Sequence, residues 1–251
     1  MTPRWNANIS FRYTVGTHLR VRGDFSYVKI AGGNPSSDPR YAPQSPNLHF
    51  EAQNWEASSL LEYYWHPVKT PHINRSFWNP YLFVGMGMTT NRPKTLLRNE
   101  WIDLQPFQLE NNPYERFTVT FPMGLGVKYK LNLYLDLTLE MNYRMTLTDY
   151  LDDVSAFNVN EFYKDLVADY GTHGDGPDPD RLRLAIRDPN FLEESGEPDV
   201  DKILRNGGRY RRGTGLNHLN DSYLTFNAGI EIYLSKEIFR NSTRNKNFRF
   251  W

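Results

Sequence analysis

Between Asn132 and Leu147 the chain reads NLYLDLTLEMNYRMTL, and apolar and polar residues alternate through all sixteen positions. Leu133, Leu135, Leu137, Leu139, Met141, Tyr143, Met145 and Leu147 share one parity. Asn132, Tyr134, Asp136, Thr138, Glu140, Asn142, Arg144 and Thr146 share the other. Only a β-strand sends successive side chains to opposite faces. A strand in a soluble domain has about five or six residues. One this long, with an unbroken apolar face, leaves few folds open.

The pattern recurs along the chain. Trp5 to Val15 alternates, with Trp5, Ala7, Ile9, Phe11, Tyr13 and Val15 opposite Asn6, Asn8, Ser10, Arg12 and Thr14. His18 to Ile30 resumes it after a Gly16-Thr17 turn and loses it near Val28. Further strands are expected at Leu48 to Trp65, Pro80 to Thr90, Arg116 to Lys130 and Tyr223 to Leu234. With the opening stretch this makes seven strands. The connections run tight (16–17), long (31–47), medium (66–79), long (91–115), very short (at Leu131) and very long (148–221). In consecutive antiparallel strands every long connection then falls at one end. That asymmetry is characteristic of outer-membrane barrels, with short periplasmic turns and long external loops.

Alternation alone does not say which face is outside. A soluble lipid-carrying barrel puts the apolar face inward. Three features favour the inverse. The polar faces carry Asn, Ser, Thr, Gly and charges of both signs, not the Lys/Glu coat of a soluble surface. Trp and Tyr cluster near strand ends, as in interfacial girdles. The strands are also longer and more regular than a soluble eight-stranded barrel needs. A helical membrane protein is disfavoured, since no run of about 20 apolar residues exists and the mean hydropathy is −0.66. The expected fold is all-β: a small antiparallel transmembrane β-barrel over 1–235, with a long external insertion at about 148–221 and a basic, aromatic periplasmic tail at 236–251. Eight strands are expected from the even number used by single-chain bacterial barrels. The eighth is expected upstream of Met1 together with a signal peptide; alternatively the tail or part of a long loop supplies it.

With the polar face inward, Arg12, Arg20, Arg22, Lys128 and Arg144 share a narrow lumen with Asp24, Glu56, Glu62, Asp136, Glu140 and Glu231. A buried charge costs several kcal/mol unless paired, so an internal ion-pair network is expected. In an eight-stranded barrel side chains fill the interior, which favours a packed plug over a gated pore.

The opening strand continues as Thr148-Asp149-Tyr150-Leu151-Asp152-Asp153-Val154-Ser155. TDYLDDVS, with NPYLFVGMG and FPMGLGVKYKL upstream and NDSYLTFNAGIEIYL downstream, resembles a Bacteroidetes family of outer-membrane β-barrels that includes the type IX secretion system component PorG. The resemblance runs from the Trp5 strand to Leu234. It implies a strand before Trp5 and a non-enzymatic outer-membrane subunit. That subunit would sit among outer-membrane lipids and tether the periplasmic ring, with a PorK-like lipoprotein and a PorN-like protein as partners. The chain departs from the pattern in its longer segment between Ser155 and Asp221 and in its basic tail. A stand-alone barrel that binds a ligand or partner through its external loops is the alternative.

Other candidate chemistry is thin. Asp149, Asp152 and Asp153 could ligate Ca²⁺, or hydrogen-bond backbone amides and pair with Arg144. Asp178-Pro179 reads as a helix start running to about Arg187. Asn160 reads as the cap of a helix that ends at Tyr170 before Gly171. No HExxH, GxSxG, P-loop or GxGxxG motif occurs, and Gly85-Met86-Gly87 and Gly124-Leu125-Gly126 sit in strands, where glycine relieves crowding. With no cysteine in the chain, thiol catalysis and cysteine-ligated metals are excluded. No enzyme activity, cofactor or metal is expected. Lys plus Arg equals Asp plus Glu at 29 each, which argues against nucleic acid as a partner. In the tail, Lys236, Arg240, Arg244, Lys246 and Arg249 with Phe248 and Trp251 could meet anionic lipid or an acidic partner face.

Overall fold

A computed structural model describes residues 5–33, 49–69, 75–98, 100–155, 159–210, 212 and 220–234. The strands are β1 (Asn6–Thr14), β2 (Leu19–Gly33), β3 (His49–Tyr64), β4 (Trp78–Thr90), β5 (Pro93–Leu97), β6 (Glu100–Asp103), β7 (Phe117–Lys130), β8 (Leu135–Thr146) and β9 (Ser222–Ile232). All strand pairs are antiparallel, and the main sheet runs β1-β2-β3-β4-β7-β8-β9. The sheet curls into a half-barrel. Its curvature brings the inward side of β1 to the far end of the sheet: Arg12 lies 2.9 Å from Glu140 of β8 and 3.7 Å from Glu231 of β9.

Parity decides what each side chain meets. On β2, Arg20, Arg22, Asp24 and Ser26 are buried while Leu19, Val21 and Phe25 are exposed. On β3, Asn54, Glu56 and Glu62 are buried against exposed Trp55, Leu61 and Tyr63. The apolar parity is therefore the outer surface: Phe11 is 77% and Phe226 71% exposed. The fading of the β2 pattern at Val28 has a local cause. The strand continues to Gly33, and Val28 turns inward onto Leu151 and Tyr223, with Ile30 packed alongside. An apolar stopper replaces the charges at this mouth.

Glycine on the inward face of β7 makes room for aromatic rings of β4. A Cβ on Gly126 would lie 2.5 Å from the Tyr81 ring, and one on Gly124 would lie 2.6 Å from Phe83 and 2.1 Å from the Met141 carbonyl. Leu60, Tyr64, Tyr81 and Phe83 pack together in that space.

Two expectations about the strands are corrected. The opening alternation is not all strand, because β8 begins at Leu135. The Asn132 side-chain oxygen accepts from the amides of Tyr134 (2.8 Å) and Leu135 (2.9 Å). An asparagine that bonds its own downstream backbone makes a turn irrespective of the hydropathy pattern. The 91–115 connection is not simply a loop, since it holds the β5–β6 hairpin. There β5 follows the path of β4 along β3, pairing Lys94 with Glu51 and Pro93 with Ala52. Segments of five and four residues are too short to register a period.

The helices are also shifted. α1 spans Tyr163–Tyr170 with Phe162, not Asn160, at its N-cap, and ends at Gly171 with φ +76°. α2 spans Pro179–Ala185, two residues short of Arg187; Asp178 stands at its N-cap but makes no side-chain capping bond. α3, Val200–Arg205, was not foreseen; Asp199 caps it by accepting from the Lys202 amide at 2.9 Å.

The two ends of the sheet differ as the loop lengths require. At one end the short connections bond to each other: the Val68 amide donates to the Thr17 carbonyl and Lys130 to Phe77, each at 2.7 Å. At the other end the 91–115 and 148–221 segments fold together. Leu104 and Leu109 from the first join Val159, Leu166, Leu182, Ile186, Ile203 and Tyr210 from the second in one buried apolar core. This cap is a small helical layer over the mouth.

Candidate functional site

Parity alone sends eleven charged residues into the lumen, and each of them has an ionic partner. Arg12 and Arg22 converge on two acids: Arg12 reaches Glu62 at 3.0 Å and Glu140 at 2.9 Å, and Arg22 reaches them at 2.9 and 2.6 Å. Arg22 also lies 3.2 Å from Asp24. Nearer the short-turn end, Glu231 collects Arg20 at 2.6 Å and the Lys128 ammonium. Nearer the cap, Arg144 meets Glu56 at 2.9 Å and Thr225 at 2.6 Å.

Tyrosine hydroxyls complete the set. Tyr81 donates to Glu140 at 2.5 Å and Tyr64 to Glu62 at 2.6 Å. Rings cover the cations, with Lys128 4.7 Å from the Tyr64 centroid and Arg22 4.6 Å from that of Phe83. Charge-assisted bonds of this kind are about twice as strong as neutral ones. A residue belonging to several such pairs cannot leave without stranding the others.

Arg75 was missed by the sequence. It lies in the 66–79 connection, where no periodicity marks a residue as inward. It donates to Asp136 at 2.6 Å and to the Asn132 and Leu133 carbonyls, and its guanidinium lies 3.9 Å from the Tyr233 centroid. Arg75 thus closes the floor. The free space among Arg20, Arg75, Lys128, Asp136 and Tyr233 is about 20 Å³, room for roughly one water. With Arg75 counted, cations and carboxylates in the lumen are equal in number, so the interior is electrically balanced. Its chemistry is cohesion, with each of these charges held by a partner of opposite sign.

The aspartates after β8 are separated by their bonds. Asp149 accepts from the Ser155 hydroxyl at 2.6 Å, and Asp152 from the Val154 amide at 3.1 Å. Asp153 accepts from Tyr114 at 2.7 Å and pairs with Arg212 at 2.8 Å. Arg212 also meets Glu110 at 3.1 Å. The expected pairing with Arg144 does not occur, because Arg144 points down the lumen to Glu56. Among the described residues no group of three or more His, Asp or Glu side chains could hold a metal ion.

Burial raises Asp152, Asp153 and Asp221. Asp152 is pushed up to about 7, with the Asp221 charge adding to desolvation. Asp153 is pushed up to about 6 by burial, against the pull of Arg212. Asp221, which accepts from the Leu151 amide at 2.8 Å, is likewise raised by burial to about 6. The tail residues Lys236, Arg240, Arg244, Lys246, Phe248, Arg249 and Trp251 lie outside the described residues.

No family model, curated protein or solved structure matches this chain. What the fold defines is a predominantly antiparallel β protein curled into a half-barrel, with a charged interior and an apolar exterior. Among the described residues no helix is long and apolar enough to cross a membrane.

Proposed function

We propose that the protein is an integral outer-membrane β-barrel and a non-enzymatic subunit of the type IX secretion machinery, tethering the periplasmic ring through its short-turn end and tail. One observation carries the membrane part: the polarity is inside out. Charges are buried and paired, while Ile9, Phe11, Leu82, Val84, Met86, Leu125, Leu139, Phe226 and Ile230 form the outer surface. In water that surface is a severe aggregation hazard; in lipid it is the solvent-matched face.

Aromatic rings mark two levels. Trp5, Tyr27 and Trp55 cluster near the cap, with neighbouring centroids 5.0 and 4.9 Å apart. Trp65, Phe77, Trp78 and Tyr129 ring the other end. From Trp55 to Trp65 along a strand tilted by about 40° is a height of about 25 Å, the apolar band of an outer-membrane barrel.

The secretion role rests on the TDYLDDVS resemblance. It is tested by extracting the native protein from membranes in mild detergent and identifying what co-purifies. Stoichiometric recovery of a periplasmic ring lipoprotein and its partner supports the subunit reading. A partnerless barrel favours the second reading, a stand-alone barrel that binds through its external face. The packed core of the cap specifically supports that second reading, because a mere connection does not need one. Release from membranes by salt or carbonate alone, without detergent, would falsify both.

A further inference from the structure

Arg187 follows α2 in the cap, and its backbone amide donates to the Tyr210 hydroxyl. Its guanidinium reaches across to the start of β3 and to β5. Nη1 donates to the Thr95 hydroxyl at 3.0 Å and lies 3.2 Å from Nδ1 of His49. Nη2 is buried and has no hydrogen-bond partner.

No carboxylate among the described residues pairs with this cation. Asp188 is next in sequence, but its side chain accepts from the Asn190 amide at 2.9 Å. On the neighbouring strands Glu51 lies 2.5 Å from Lys29, and Asp103 lies 3.1 Å from Lys94. Arg212 holds both Glu110 and Asp153. Burial, and then the like charge of Arg212, lower Arg187 to about 10. Lumenal Arg144, by contrast, has Glu56 at 2.9 Å.

The surroundings are also short of acceptors. Thr95 donates its hydroxyl proton to the His49 carbonyl at 2.8 Å. The Leu96 amide faces Nε2 of His49 at 3.4 Å. A neutral imidazole has one acceptor nitrogen, and here a donor faces each of the two. Donors thus outnumber acceptors around a buried cation, an arrangement that is costly until an anion joins it. We propose that Arg187, His49 and Thr95 form a binding site for a phosphate group, entered from the exposed His49–Leu96 side of the cap.

The donors select the ligand. A guanidinium is a planar fork that meets two oxygens of one oxyanion. A carboxylate has both of its oxygens taken by the fork, whereas a phosphate keeps others for the imidazole. An anion beside His49 also favours the charged ring, which donates from both nitrogens. Two sources carry the group: a small phosphorylated solute, or the phosphorylated headgroup of a surface glycolipid. The glycolipid source requires the membrane reading; the site itself rests on the cap alone and needs neither the membrane nor the secretion role.

The test follows hydrogen exchange of the cap in the full chain. In detergent, inorganic phosphate should slow exchange in 91–115 and 148–221 relative to chloride at equal ionic strength. Arg187→Gln should weaken that response about tenfold or more, the effect of losing a charged hydrogen bond. Without phosphate the variant should exchange no faster than the parent, because it removes a buried cation that has no acid. The same comparison is made in phosphatidylcholine vesicles with and without lipopolysaccharide. Slowing by inorganic phosphate identifies a solute site, and slowing by lipopolysaccharide alone a glycolipid site. No slowing with either probe overturns the proposal, as does a response that Arg187→Gln leaves intact. A variant whose cap loosens in the absence of phosphate overturns it too, by making the guanidinium a structural donor. None of these readings depends on what co-purifies with the protein or on how it is released from membranes.

Discussion

The wall and the cap solve opposite problems with one chain. In the wall the charges are inside, as with Arg22 and Glu62, both fully buried, and the apolar residues are outside. In the cap Leu166, Leu182 and Ile186 are fully buried, and ion pairs such as Arg183–Glu197 (2.6 Å) and Lys202–Asp199 (3.1 Å) lie at its surface. The wall is held by paired charges in a small volume and the cap by the hydrophobic effect. The same residue type is therefore worth different amounts in the two regions. The inversion also changes hands within a few residues: where β2 passes Ser26, a charged interior gives way to Val28 and Ile30 under Leu151.

Substitutions can break this contrast. Glu140→Ala should have the largest effect. It leaves Arg12, Arg22 and the Tyr81 hydroxyl without their shared acceptor, a loss of about 3–5 kcal/mol for a broken buried pair, read as a lowered unfolding midpoint of the barrel in detergent. Leu182→Ala should cost about 2–5 kcal/mol as a cavity in the cap core, with protease sensitivity confined to 91–115 and 148–221 and the barrel intact. If that change melts the barrel too, the regions are not separable.

Leu139→Arg places a charge on the outer wall and should cost about 2–4 kcal/mol in a bilayer; a neutral result there removes the lipid-facing assignment. The buried acids of the cap give a smaller effect of definite sign. Asp152, Asp153 and Asp221 are raised above the ordinary carboxylate value. Folding then favours their protonated forms, a preference present in full below pH about 4 and lost as pH rises through about 6 to 7. Hydrogen exchange in the cap, corrected for intrinsic rates, should quicken between pH 5 and 8 while the wall does not change. Glu197→Ala should be least, about 1 kcal/mol or less, because the pair it breaks is partly exposed.

How much of this was legible follows the same division. The long strands and every lumenal charge on them are read directly from parity, since a side-chain period of two leaves one choice once the outer face is known. Tyr64 and Tyr81 were equally readable, being on the parity of Glu62 and of Phe83. Arg75 was not, because its position comes from the way a connection folds back onto Tyr233 and Asp136. In the cap, Asp153 and Arg212 stand far apart in sequence and meet only through the packing of two long segments. Capping rules placed α2 well but misplaced the start of α1, where Phe162 occupies the position through burial in the cap core instead of through a polar side chain.

The sequence separation of the lumenal pairs has a temporal meaning. Arg12 and Glu140 are 128 residues apart, and Arg20 and Glu231 are 211 apart. A chain made from its N-terminus presents β1 and β2 long before β9 exists, and their guanidinium groups must stay hydrated until then. Strands joined by tight turns, such as β1 with β2 and β7 with β8, can zip together early, since those loops are short to close, but the bonds that unite the interior form together at the end. Assembly of this protein should thus have one late, all-or-none step, in which the arrival of Glu231 on β9 dehydrates and locks charges that were synthesised earlier.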